Sequence, residues 1–237
     1  MISRGSMAKE SLFTSCTISS SSSKCFKNLT PEEEAYLNSR STLINYRKGE
    51  LIAKQGSYAS HVMYLVSGLV KVFLDNDVNT LVLKIVCPET LFGLTAMSNE
   101  QSQFQYSSMA YINSEIRQIE LSAFKEVLMQ NPSFAKQVID TLSAGNTQIN
   151  GRFFCLTYKQ SYGRLADILI CLSDRIFMTR EFHLPLSRRE LAELANMSQE
   201  TLIRMLMKFD DDGLISITDK TFRILDYQRL HKISETG

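Results

Sequence analysis

Glu200 and Arg204 are the residues whose types and spacing most readily do chemistry. Four positions apart, they share one face of any helix that contains them. A guanidinium there can donate two hydrogen bonds to guanine O6 and N7, and a carboxylate one turn earlier can accept from cytosine N4. The pair could thus read adjacent base pairs. On an isolated helix the plainer reading, an exposed ion pair contributing about 0.3–0.5 kcal/mol, would be preferred. The surrounding elements decide between the two.

Ser187-Arg-Arg-Glu190 is a capping box, in which the serine oxygen accepts from the N3 amide and the glutamate reaches back to the cap amide. It predicts a helix from Arg188 that carries Leu191 and Leu194 inward and stops near Ala195, because Asn196 enters the left-handed region at low cost. Ser198 then caps a second helix. Its inner face is Leu202, Met205, Leu206 and Phe209, and its outer stripe is Gln199, Glu200, Ile203, Arg204 and Lys208. Two short helices joined by a three-residue turn, with a polar stripe outward, set the second helix into a major groove. After Asp212-Gly213, residues 214–218 and 221–225 read as strands joined by a tight turn at Asp219-Lys220, which makes a wing. Residues 159–237 are therefore expected to form a winged helix-turn-helix, with double-stranded DNA as its partner.

The elements upstream differ in kind. Residues 42–46, 50–53, 62–66, 69–74, 81–86 and 115–119 are short β-rich runs, broken at Lys48-Gly49, Gln55-Gly56, Ser67-Gly68 and Asp75-Asn76-Asp77. A sandwich or jelly roll over 30–130 is expected, introduced by a short helix that Thr30-Pro31-Glu32-Glu33 caps and starts. Asn131-Pro132 opens a long helix to about 158, with Phe134, Val138, Leu142, Ile149, Phe153 and Leu156 as its apolar stripe. That stripe suits either a two-fold seam between copies or packing on the helix's own β-domain, and the pattern does not choose. Gly145-Asn146 is a weak point in it, either a close-approach site or a kink.

The 237 residues carry 26 Lys and Arg against 25 Asp and Glu, a net charge of +1, so DNA affinity must come from locally placed cations. No apolar run approaches the roughly 20 residues of a membrane span; a cytoplasmic protein without a membrane partner is expected. The opening Met1-Ile-Ser-Arg-Gly-Ser6 reads as a tag remnant ahead of Met7, and the rest of 1–29, rich in Ser and Thr over 14–23, as a mobile tail. Five dispersed cysteines with no secretory leader ahead of them do not suggest a disulfide framework. Cys87, Cys155 and Cys171 lie in apolar contexts and read as small core residues, while Cys16 and Cys25 on the tail are candidates for thiol redox sensing. His61, His183 and His231 are scattered, and the acidic run Asp210-Asp-Asp212 lacks the further ligands calcium needs, so no metal site is expected. With no nucleophile–base constellation and no phosphate-cradling loop, neither is an enzyme.

Over residues 29–225 the chain resembles the CRP/FNR family of bacterial transcription regulators. One specific stretch is Ser187-Arg-Arg-Glu-Leu-Ala-Glu-Leu-Ala-Asn-Met-Ser-Gln-Glu-Thr-Leu-Ile-Arg204 with Asp212-Gly213-Leu-Ile215. The other is Arg47-Lys-Gly-Glu50, Gly56 and Tyr64-Leu-Val-Ser-Gly-Leu-Val-Lys71, similar to the opening of the family's β-roll. The resemblance implies an α+β architecture: an N-terminal β-roll like the cyclic-nucleotide-binding jelly roll, a long dimerisation helix over 131–158 and the winged helix-turn-helix. It implies a sequence-specific regulator that acts as a homodimer on a palindromic operator, is controlled by an unidentified effector in the roll, and has RNA polymerase as a further partner. Gln199, Glu200 and Arg204 would contact bases, and Arg188, Arg189, Ser198 and Lys220 phosphates. Phe134, Val138, Leu142, Ile149 and Phe153 would form the dimer interface. The competing reading is a redox or small-molecule sensor whose C-terminal domain contacts protein instead of DNA.

The resemblance also fails in places. Members that bind cyclic AMP place a Glu after the roll glycine and an Arg further on; here Leu94 follows Gly93, and Gln103-Phe-Gln-Tyr-Ser-Ser-Met-Ala-Tyr111 holds no Arg or Lys. An unpaired buried phosphate costs several kcal/mol. Members with an iron–sulfur cluster use four cysteines; Cys16 and Cys25 have the outer spacing, but the middle position falls at Ser19 and the roll position near Arg117. No cofactor is expected: neither cyclic AMP nor an iron–sulfur cluster. Calorimetric titration with cyclic AMP and cyclic GMP should accordingly show no micromolar affinity.

Overall fold

The computed structural model describes residues 26–76, 79–98 and 103–237; the candidate redox residues Cys16 and Cys25 lie outside these. Helix α1 (Pro31–Ser39) begins with a closed capping box, Thr30 accepting from the Glu33 amide and Glu33 accepting from the Thr30 amide at 2.8 Å. Just before it, Phe26 lies 4.9 Å from the Tyr64 ring and 6.3 Å from Phe134. Chain at 26–29 therefore belongs to the packed body and not to the mobile tail expected over 1–29.

Eight strands build the roll: β1 (Ser41–Tyr46), β2 (Leu51–Ala53), β3 (His61–Ser67), β4 (Val70–Asp75), β5 (Thr80–Val86), β6 (Thr90–Phe92), β7 (Ser107–Ala110) and β8 (Ser114–Glu120). They form two antiparallel four-stranded sheets, ordered β1-β8-β3-β6 and β2-β7-β4-β5. Met63, Leu65, Val70, Val72, Phe92 and Ile116 fill the space between the sheets, as alternation on facing pleats requires. Gly68 explains one break: at φ +99° it turns the chain where any Cβ would stand 2.2 Å from Ser114 Oγ.

Helices α2 (Leu121–Gln130) and α3 (Pro132–Tyr158) follow, with Asn131 capping α3 by accepting from the Phe134 amide at 2.9 Å. Here the expected dimer stripe divides. Phe134 and Val138 are fully buried against Leu91, Ile119, Phe124 and Val127 of their own chain and cannot meet a second copy. Leu142, Ile149 and Phe153 are exposed, and Ile139, which the sequence reading omitted, joins them. The first turns of the helix face the roll, and the apolar face that continues outward is a different one.

The C-terminal unit comprises α4 (Ser161–Cys171) running into a π-helical turn (Leu172–Phe177), β9 (Glu181–His183), α5 (Arg188–Ala195), α6 (Gln199–Asp211), β10 (Ile215–Thr218), β11 (Thr221–Ile224) and α7 (Tyr227–Thr236). Its core, centred on Leu165, Leu191, Leu194, Leu202 and Phe209, is continuous with Val82 and Ile85 of the roll. Cys87 and Cys155 are buried free thiols. Burial, with Asp167 adding to it, pushes the Cys155 thiol up to about 11, which leaves it little thiolate at neutral pH. Cys171, also buried, is disulfide-bonded, unlike the core thiol read from the sequence.

Arg152 on α3 ties these parts together. Its side chain is buried, Nε donating to the Val82 carbonyl of β5 at 3.0 Å and Nη2 to the Leu194 carbonyl of α5 at 2.8 Å. Truncation would leave two buried carbonyls without those donors and open a cavity. Arg152→Ala should lower the unfolding free energy in urea by roughly 2–4 kcal/mol. Arg152→Lys should recover only part of it, since a single ammonium does not span two acceptors as a guanidinium fork does.

Candidate nucleic-acid interface

Helix α5 starts as the capping box requires: Ser187 Oγ accepts from the Glu190 amide at 3.2 Å, and Glu190 Oε2 accepts from the Ser187 amide at 2.6 Å. It ends at Asn196, which takes a left-handed conformation at φ 50°. Ser198 caps α6 by accepting from the Thr201 amide at 3.1 Å. The turn between the helices is fixed from outside by Arg164 on α4, whose guanidinium donates to the carbonyls of Ala195 at 3.0 Å and Asn196 at 3.2 Å. A cation at the C-terminal carbonyls of α5 also suits the helix dipole. No sequence signal pointed to Arg164, because its partners are backbone atoms about thirty residues away.

Helix α6 has two faces. Leu202, Leu206 and Phe209 are buried, and Met205 is half-buried. Gln199, Glu200, Ile203, Arg204 and Lys208 are exposed as expected, together with Met207. Glu200 and Arg204 have no hydrogen-bond or ion-pair partner among the described residues, so the plain ion-pair reading is not what their geometry shows. The stripe offers a guanidinium, a carboxylate and an amide for base edges, with Ile203 and Met207 as apolar surface suited to thymine methyl groups.

The wing is a two-residue hairpin: Thr218 pairs with Thr221 across Asp219-Lys220, and β9 adds a third strand alongside β11. Asp219 takes φ 55°, as such a turn demands. Lys220 is exposed at its tip. The other phosphate candidates are placed differently. Arg188 is half-buried with its guanidinium 5.0 Å from the Phe222 ring centre, and Arg189, though exposed, lies 3.3 Å from Glu193. The Ser198 hydroxyl donates to Thr201 Oγ1 at 2.8 Å. What the start of α6 still offers a phosphate is the open amides of a helix N-terminus.

The opposite side of α5 is bound to the roll. Lys48 reaches Glu190 at 3.0 Å and the Pro185 carbonyl at 2.9 Å, and Lys71, nearly buried, reaches Glu193 at 3.1 Å. Burial alone would raise the Glu190 carboxyl, but its hydrogen bonds from Ser187 and Lys48 outweigh that and hold it below the usual carboxylate range. Glu190 thus both caps the first helix and anchors it to the roll.

The roll contains a cavity of about 180 Å³ against α3, reached by Lys84, Thr95 and Tyr106. Lys84 reaches it from β5, outside the 103–111 stretch that holds no Arg or Lys.

A family model described as a Crp-like helix-turn-helix domain matches residues 163–233, and one described as a cyclic nucleotide-binding domain matches residues 43–131. The chain is 28% identical over 185 residues to the transcriptional activator protein anr of Pseudomonas aeruginosa, covering 76% of this chain and 75% of that relative. It is 27% identical over 185 residues, with the same coverage, to the transcriptional activator protein FnrA of Stutzerimonas stutzeri. The solved structure of FixK2 from Bradyrhizobium japonicum shares the fold, with a TM-score of 0.74 at 21% identity over 81% of this chain and 96% of that one. With the roll and the helix-turn-helix each matched in order along one chain, and transcriptional activators among its relatives, the protein belongs to the CRP/FNR family of transcriptional regulators.

Proposed function

We propose that this regulator works as a cytoplasmic homodimer that reads a two-fold symmetric operator through α6 and answers to an effector held in the roll. The observation that carries the DNA-reading part is the exposed stripe of α6, in which Glu200 and Arg204 stand without protein partners on a doubly capped, externally braced helix pair. Gln199, Glu200 and Arg204 would contact bases, with Ile203 beside them. Lys220 at the wing tip and the α6 N-terminus would hold phosphates. Arg188 and Arg189 would first have to leave Phe222 and Glu193.

Support for the dimer comes from α3. Ile139, Leu142, Asn146, Ile149 and Phe153 are all exposed, and their spacing alternates between three and four residues, as in the a/d seam of a coiled coil. A polar Asn within such a seam fixes register at some cost in stability. RNA polymerase is the further partner that the family resemblance implies.

Neither cofactor found among the family's members fits the residues described. At the roll position where a cluster ligand would stand, Arg117 donates to Asn38 Oδ1 at 2.6 Å and offers no thiolate. In the cavity, Leu94 is buried among apolar residues and gives no carboxylate for a ribose.

Fluorescence anisotropy on a palindrome of TTGA and TCAA half-sites, against a scrambled duplex at physiological salt, tests the reading. Specific binding is expected, and equal affinities would remove it. Arg204→Ala should weaken the specific complex by about 1–3 kcal/mol and the scrambled one much less. Phe153→Glu should convert the dimer to a folded monomer in sedimentation velocity, because this exposed side chain belongs neither to the core of its own chain nor to the cavity wall, and operator affinity should fall with it.

A further inference from the structure

The cavity beside α3 has a chemistry that the regulator reading does not specify. Its walls are mainly apolar, with Leu83 and Leu94 from the roll and Leu142 and Ile149 from α3. Among the described residues that line it, Lys84 alone carries a charge. The register of β5 against β4 shifts at Leu83: Val82 pairs with Phe73 and Lys84 with Val72. Bulges of this kind re-aim side chains next to sites. Here the consequence is that Leu83 and Lys84, which would alternate between faces on a regular strand, both reach the cavity.

Lys84 runs under α3, where a Cβ built on Gly145 would stand 4.0 Å from its Nζ. No carboxylate of the described residues pairs with it. Burial pushes its ammonium below the ordinary lysine range, and such a group gains most from an anion that arrives with its own hydrogen-bond acceptors. Two hydroxyls lie on the same cavity. Tyr106 Oη accepts from the Gly93 amide at 2.8 Å, which leaves its own proton to donate. Burial pushes the Tyr106 hydroxyl above its ordinary range, so it keeps its proton at neutral pH, and the buried Thr95 hydroxyl lies on the same cavity.

We propose that this cavity binds a small organic anion, a monocarboxylate with an apolar body, its carboxylate on Lys84 and the Tyr106 hydroxyl and its body against Leu83, Leu142 and Ile149. One cation balances one negative charge, whereas a phosphate dianion would remain half uncompensated. Size points the same way. About 180 Å³ is roughly six water volumes, below the range of about 300–1,000 Å³ usual for drug-sized ligands. A single aromatic ring or a short aliphatic chain suits this volume. That binding regulates DNA reading rests on the function proposed above, since Leu142 and Ile149 belong both to the cavity wall and to the exposed seam of α3.

The test is calorimetry and thermal shift on the full chain with benzoate and hexanoate, each against its neutral counterpart, benzyl alcohol and hexanol, with cyclic AMP and inorganic phosphate alongside. At least one carboxylate should bind with a dissociation constant on the order of 0.1–1 mM and at least about tenfold more tightly than its alcohol. Lys84→Met and Lys84→Gln should bring acid and alcohol to equal affinity. Acid no better than alcohol in the wild type, no carboxylate binding up to about 10 mM, a carboxylate preference unchanged in both variants, or tighter binding of cyclic AMP or phosphate would each overturn the proposal. The wild-type comparison decides even where a variant fails to fold. Operator binding measured on the same samples separates the two claims. Carboxylate binding without DNA reading removes the regulatory role and keeps the site, and the reverse removes the site alone.

Discussion

A buried guanidinium holding carbonyls from two different bodies is the contact on which the arrangement of this molecule depends. Arg152 stands on the long helix, takes one carbonyl from a strand of the roll and another from the end of the first helix of the DNA-reading pair. Desolvating such a group costs several kcal/mol, and its planar fork suits two acceptors in different directions better than an ammonium would. Arg164 continues the pattern one element later, taking the next two carbonyls, those of Ala195 and Asn196. Three consecutive carbonyls at the end of α5 are therefore held by arginines of α3 and α4. The turn that aims α6 is defined by the rest of the protein as much as by its own sequence.

The face of α5 toward the roll is held by charge. Glu190 and Glu193, one turn apart, meet Lys48 and Lys71. The exposed member of these pairs contributes little by itself. Lys71 differs, because its ammonium is nearly buried and lies 4.7 Å from the Phe73 ring centre, where water screens the attraction far less. Apolar contact of Val82 and Ile85 with the core of the C-terminal unit supplies the remaining adhesion. Roll and DNA-reading unit are thus joined by a node of hydrogen bonds, an ionic edge and a shared core.

What could be read from the sequence follows the range of the forces involved. Capping at Thr30, Ser187 and Ser198, the left-handed Asn196 and the two-residue wing turn are local, each settled within four residues, and each is present as expected. The stripe of α3 was only half legible. Periodicity shows that Phe134, Val138, Leu142 and Ile149 recur at helical spacing, but a helix of 27 residues can turn one face to its own domain at the start and another to solvent later. Nothing in the spacing marks where the change occurs, and Ile139, next to Val138 in sequence, falls on the opposite side of it. Arg152, Arg164 and Lys84 were not legible at all. Their partners are backbone atoms or a cavity wall brought together by topology, and an Arg or Lys in a helix or strand is read as surface by default.

The same topology concentrates the sites that would have to communicate. On β5, Val82 gives its carbonyl to Arg152, and Lys84, just past the bulge, turns to the cavity. On α3, Leu142 and Ile149 serve cavity and seam, and Arg152 follows less than a turn after Ile149, about 5 Å along the axis. A close-packed interior has few intermediate arrangements, so a small displacement of one packed element tends to be resolved as a shift of the whole. An anion that drew Lys84 toward the cavity would act on the strand that anchors Arg152 and on the helix that carries it. The end of α5 is bonded to that same guanidinium, so the aim of α6 and the occupancy of the cavity meet at a single side chain.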